Sequence, residues 1–133
     1  MRAFKNLRAV TILVIGLALG ACSGGDGNTV TMEPGRRFEP EILTIEAGES
    51  VTFVSESDDA HTVTAYQDAL PEGASYFASG GFESEDEARD DLAGGLLSPG
   101  ERFEVRLDVP GTYRYFCVPH EGSGMTGLIM VED

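Results

Sequence analysis

The chain has 133 residues, 23 of them acidic against nine lysines and arginines, for a formal charge of −14 at pH 7. That length holds one folded domain, and the charge excludes nucleic acid and anionic membrane surfaces as partners, because phosphates would be repelled. Two cysteines, two histidines and four methionines are its whole supply of soft and borderline side-chain donors.

The first residues, MRAFKNLR, carry Arg2, Lys5 and Arg8 and precede the apolar run AVTILVIGLALGA. A basic start, a short apolar stretch and small residues before a cut describe an export signal. The run is about 13 residues, short of the ~20 that a spanning helix needs. Leu19-Gly20-Ala21-Cys22 resembles a lipobox, which places the cut before Cys22 and a lipid on that cysteine. The expected organisation is a lipoprotein signal peptide at 1–21, a flexible Gly/Ser tether at 22–28 and a folded domain at 29–133. The domain is then lipid-anchored on the extracytoplasmic side of a membrane. No adjacent arginine pair precedes the run, which points to the general export route, with any metal acquired outside. Without residues 1–21, six arginines face 23 acids, a formal charge of −17 with no lysine. That composition resembles proteins from high-salt surroundings. Lipidation removes Cys22 from pairing with Cys117, so no disulfide is expected.

From Val30 the pattern is strand-like. Leu43 and Ile45 alternate with Thr44 and Glu46, Ala47-Gly48-Glu49 reads as a turn, and Val51 and Phe53 alternate with Thr52. This is a hairpin or a corner between two strands. Residues 61–102 are less regular, but Ser84-Glu85-Asp86-Glu87 is a capping box that predicts a short exposed helix over 85–92, its acids forming a solvated face. In RFEVRLDV, Phe103, Val105, Leu107 and Val109 face one way and Glu104, Arg106 and Asp108 the other, a half-buried strand. After the Pro110-Gly111 turn, Tyr113, Tyr115 and Cys117 share one face, while Arg114 and Phe116 share the opposite one. Leu128 to Val131 supplies the last strand, in which alternation gives Met130 a packing position. Short strands and turn signals over about 100 residues indicate an all-β Greek-key sandwich with one short helix.

Cys117, His120 and Met125 fall within nine positions, in YRYFCVPHEGSGM. Thiolate and thioether are soft ligands and imidazole is borderline, a mixture that suits copper. Two imidazoles and a thiolate in a plane, with a weak distant methionine, form a blue-copper site. The fourth donor must then be His61, the remaining histidine, 56 residues upstream of Cys117. Zinc is the chemical runner-up, but its structural sites favour four Cys/His ligands over a methionine. A cysteine nucleophile is weaker still, since no Asn or Asp stands out to orient His120.

Cys117-Val118-Pro119-His120-Glu121-Gly122-Ser123-Gly124-Met125 is a C-x2-H-x4-M pattern preceded by Gly111-Thr112-Tyr113. It resembles the plastocyanin and halocyanin group of small blue copper proteins (cupredoxins). FEPEILTIEAGESVTFV and GLIMVE fit the same family, so the resemblance covers about residues 36–132. ALPEGASYFASGGF and the acidic helix are closer to halocyanins than to plant plastocyanin. The resemblance implies one type 1 copper per chain, held by His61, Cys117, His120 and Met125. It also implies a monomeric, membrane-tethered electron carrier, not an enzyme, passing single electrons between protein redox partners. His120 would be the electron port, its ring edge surfacing in an apolar patch that includes Pro119. Two positions depart from the family: Thr62 stands where Asn or Ser is usual, and Phe116 where Tyr is usual. A copper-trafficking lipoprotein and a metal-free adhesive sandwich are the competing readings. Trafficking would call for further Met or His, and after Met1 only Met32, Met125 and Met130 remain.

Overall fold

The computed structural model describes residues 27–133. The expected signal peptide, Cys22 and most of the tether lie outside the described residues. The strands are β1 (Thr29–Glu33), β2 (Arg37–Glu39), β3 (Ile42–Glu46), β4 (Glu49–Ser55), β5 (Thr64–Ala65), β6 (Arg102–Leu107), β7 (Gly111–Phe116) and β8 (Thr126–Glu132). Two short helices, α1 (Glu85–Asp90) and α2 (Leu92–Gly95), lie between β5 and β6. Among the described residues no helix is long and apolar enough to cross a membrane.

One sheet runs β2-β1-β4-β6 and the other β3-β8-β7-β5. Every connection from β2 to β7 crosses between the sheets, so the all-β sandwich is laced together along most of its length. The two readings left open for 43–53 resolve here as a corner. β3 pairs with β8 and β4 with β1 and β6, and Gly48, at φ 90°, turns the chain between the layers. The β7–β8 connection stays in one sheet as an antiparallel pair, and its long loop carries the cysteine, histidine and methionine.

The core rests on inward alternation. Val30, Met32, Val51, Phe53, Tyr113, Tyr115 and Ile129 are all sealed from solvent. Tyr115 sits edge-on to Phe38 (centroids 4.8 Å apart) and to Phe53 (5.2 Å), geometries worth about 0.5–1.5 kcal/mol each beyond burial. Its ring lies over Gly127, its cross-strand partner, where any Cβ would overlap the ring. Gly127 therefore makes room for an aromatic ring, whereas Gly124, at φ 82°, bends the loop. In β6, Phe103 and Val105 are half-buried and Leu107 buried, as expected, while Val109 lies just past the strand.

Two local expectations need correction. Met130 does not take a packing position: it points outward from β8 and is 41% exposed. Phe116 lies opposite Tyr115 as expected, and its ring is fully buried. The helix expected over 85–92 stops at Asp90. Ser84 caps it, its Oγ accepting from the Glu87 N–H at 3.2 Å, but Glu87 reaches back to the Glu83 N–H rather than to that of Ser84. Asp91 then caps α2, accepting from the Gly94 N–H at 3.0 Å, because a side chain that competes for backbone donors favours a new start over continuation.

Candidate metal centre

All four sequence-predicted donors gather at one end of the sandwich. His61 lies in the β4–β5 crossing, where its N–H and C=O pair with Leu97 at 3.2 and 2.7 Å in an isolated bridge. Cys117 is the first residue past β7, and residues Val118–Ser123 wind as a 3-10 turn that ends at Gly124. Inside this loop Cys117 N–H donates to the Met125 carbonyl (3.1 Å), His120 N–H to that of Cys117 (3.2 Å) and Met125 N–H to that of His120 (3.2 Å). The backbone thus closes on itself and brings Met125, fully buried, beside Cys117.

The donor atoms converge. Nδ1 of His61 and Nδ1 of His120 are 3.1 Å apart, and Cys117 Sγ lies 3.8 Å from the first and 3.4 Å from the second. Metal–nitrogen bonds of ~2.0 Å and metal–sulfur bonds of ~2.3 Å set donors roughly 3–4 Å apart, so the cluster fits a single small ion. His61 and Cys117 are sealed from solvent, while His120 is half-buried. Desolvation lowers the pKa of both imidazoles, and for His61 the neighbouring His120 adds to it. Both rings are therefore neutral near pH 7, the form in which a nitrogen can ligate. Burial pushes the Cys117 thiol up, against the opposing pull of the Thr62 and His120 N–H groups. A thiolate is the ligand form, so metal binding must displace that proton.

Thr62 answers the question its sequence position raised. Its N–H donates to Cys117 Sγ at 3.4 Å, and its Oγ1 accepts from the Val118 N–H at 2.8 Å. One residue thereby pins the His61 segment to both the thiol and the start of the ligand loop. Ser79 does related work unforeseen from sequence: its Oγ accepts from the Val63 N–H (3.0 Å) and donates to the Gly95 carbonyl (2.6 Å), fastening the same segment to α2. Ser79 has no local signal, because both its partners lie 16 residues away. Tyr66 stacks on Phe116 with centroids 4.3 Å apart, covering the flank where a tyrosine was expected and absent.

Residues 26–132 match the copper binding proteins of the plastocyanin/azurin family. The chain belongs to that family. It is 39% identical over 95 residues to the plastocyanin of Scenedesmus fuscus, covering 71% of this chain and 86% of that protein. It is 32% identical over 127 residues to the chloroplastic plastocyanin of Chlamydomonas reinhardtii, covering 96% of this chain and 80% of that one. Among solved structures a Sinorhizobium pseudoazurin superposes with a TM-score of 0.58 at 31% identity, over 79% of this chain and 72% of that one. The protein is thus a cupredoxin, and copper is its cofactor. The donor set suits that metal, with one thiolate, two imidazoles and a thioether in the neighbourhood.

The Thr62 hydroxyl gives a direct test of how the loop is held. Thr62→Val strands the Val118 N–H and costs about 1–3 kcal/mol, whereas Thr62→Ser keeps the bond and most of the stability. Denaturant unfolding of the metal-free variants reads the difference. Equal losses for Val and Ser would mean that the hydroxyl does not hold the loop.

Proposed function

We propose that this cupredoxin is a one-electron carrier of the halocyanin type, lipid-anchored outside the cell membrane and exchanging electrons with protein partners. Residues 1–21 are the lipoprotein signal peptide, Cys22 carries the lipid, 22–28 are the tether, and 29–133 are a monomeric redox domain. The observation that carries the reading is the convergence of His61 Nδ1, Cys117 Sγ and His120 Nδ1 within 4.8 Å of one another. His61, Cys117 and His120 would hold the copper as its strong donors, and the Met125 thioether would add a weaker one. Bound copper supplies the single electron by cycling between Cu(II) and Cu(I).

What the chain contributes is rigidity and access. Donors from two segments 56 residues apart are tied to one sandwich, which resists the change of geometry that each oxidation state would favour. His61, Cys117 and Met125 are closed to water. His120 is half-buried and Pro119 exposed, which supports a route to a partner through the imidazole edge.

The assignment of the thioether donor is testable because two methionines compete for it. Met125 is buried beside the donors, while Met130 is 41% exposed on β8. Met125→Leu keeps copper and colour and raises the reduction potential, since losing a donor destabilises Cu(II) more than Cu(I). Met125→Gln lowers it, an amide oxygen being the harder donor. Met130→Leu stays within about 0.5 kcal/mol of wild-type stability and leaves the potential unchanged. Voltammetry of the three variants decides, and a shift confined to Met130→Leu would overturn the assignment.

Cys22→Ser tests the anchor. Stable attachment takes more than one acyl chain, at about 0.8 kcal/mol per buried CH₂, so a variant with no lipid moves to the soluble extracytoplasmic fraction and still binds copper. A variant that stays on membranes after a salt wash counts against the tether.

A further inference from the structure

Beside the metal centre one guanidinium joins elements that are far apart in sequence. Arg89, on α1, donates from Nη1 to Glu121 Oε2 at 2.7 Å and from Nη2 to Glu121 Oε1 at 3.2 Å. It also donates from Nε and Nη2 to Glu85 Oε1, at 2.9 and 2.7 Å. Its Cζ lies 4.3 Å from the centroid of the Phe116 ring. The Tyr66 hydroxyl donates to Glu121 Oε1 at 2.9 Å, and the Tyr66 ring stacks on Phe116. Glu121 directly follows His120, and Phe116 directly precedes Cys117. The cluster therefore grips the chain neighbours of two donors.

We propose that Arg89 is a positioning residue for the copper centre: through Glu121 and Phe116 it holds the 118–123 turn in one arrangement, keeping His120 opposite His61 and Cys117 with or without metal. His61 and Cys117 are fixed by burial and by Thr62. His120 has neither support, for its 3-10 turn contains no buried residue and its own backbone bonds run only to other residues of the loop. Short 3-10 turns have poor hydrogen-bond geometry and hold themselves weakly. An outside anchor is needed at the far side of the turn, and the fork of Arg89 on Glu121 is placed to be one.

The base of the clamp is itself tied down. Gln67 N–H donates to Glu85 Oε2 at 2.9 Å and Glu85 N–H to Gln67 Oε1 at 3.0 Å, which fixes the start of α1 to the segment after β5. Bidentate, charge-assisted bonds are stronger than neutral ones, although Arg89 and Glu121 are 36% and 33% exposed and so partly screened. Salt does not remove them. At about 1 M the screening length falls to ~3 Å, which weakens the Coulomb attraction but leaves the paired N–H···O bonds at 2.7 and 3.2 Å. Lysine is no substitute, since it offers neither a fork for two carboxylates nor a plane for a ring.

Two readouts test this, and only the second rests on the copper reading. In the metal-free full-length protein, Arg89→Met and Glu121→Gln each speed amide exchange across 118–124 by roughly five- to tenfold, the effect expected of a partly exposed charged pair. Exchange in β4 and β8 stays unchanged, Arg89→Lys fails to restore protection, and Arg106→Met, in a distant exposed ion pair, changes nothing. In the copper-loaded protein both Arg89→Met and Glu121→Gln slow electron self-exchange. The two substitutions change charge in opposite senses, so a pure charge effect would move the rate in opposite directions. Wild-type-like exchange at 118–124, a uniform rise over β4 and β8, rescue by lysine, or opposite rate changes would each overturn the proposal. A wild type that takes up copper without blue colour would instead count against the carrier reading and leave the exchange result standing.

Discussion

Everything at this centre depends on pinning together two segments that the chain keeps 56 residues apart, and Thr62 is the pin. Its N–H faces the Cys117 thiol and its hydroxyl receives the Val118 N–H. Without that contact the His61 crossing and the Cys117 loop would be neighbours only by virtue of the sheets behind them. With it, three donors from two loops sit within 4.8 Å of one another. The sandwich makes this affordable. β7 and β8 pair along six residues, β5 pairs with β7, and the aromatic core under Tyr115 leaves no slack for either loop to drift.

Support for the three clustered donors is uneven, and on the proposed reading the unevenness has a functional sense. His61 and Cys117 are sealed, while His120 reaches toward solvent. If His120 is the ligand that meets a partner, as proposed, it cannot also be buried in packing, and its order has to come from polar contacts nearby. That is the physical place of Glu121, whose carboxyl is held below the usual carboxylate range by Arg89, with further help from Tyr66. Tyr66 is in turn pushed up to about 12, by burial first and by Glu121 second, and so remains a neutral hydrogen-bond donor.

Much of this was legible in the sequence where the signal is local. Alternation in 103–107 and 113–117 marked strands and put Cys117 inward, and the Cys117–His120–Met125 spacing named the loop that closes on itself. His61 followed by elimination, because the chain has only two histidines. What was not legible depends on partners distant along the chain. Phe116 is buried because Tyr66 and Arg89 arrive from elsewhere, and Met130 is exposed because, among the described residues, none covers the outer face of β8 at that point. Gly127 is explained only by the Tyr115 ring across the strand pair. The acids of α1 read as a solvated face, yet Glu85 is bound on both sides, by Gln67 and Arg89. That i,i+4 spacing of Glu85 and Arg89 was visible, but Glu121, which gives it a purpose, lies 32 residues further on.

The central claim is that Cys117, His61 and His120 bind copper as one thiolate-containing centre. A titration of the metal-free protein with Cu(II), followed by visible absorption, addresses it most directly. The account predicts an intense blue band that grows to one copper per chain and is absent from Cys117→Ser, which stays folded. A saturating titration without that band, or a band that survives in Cys117→Ser, would contradict it.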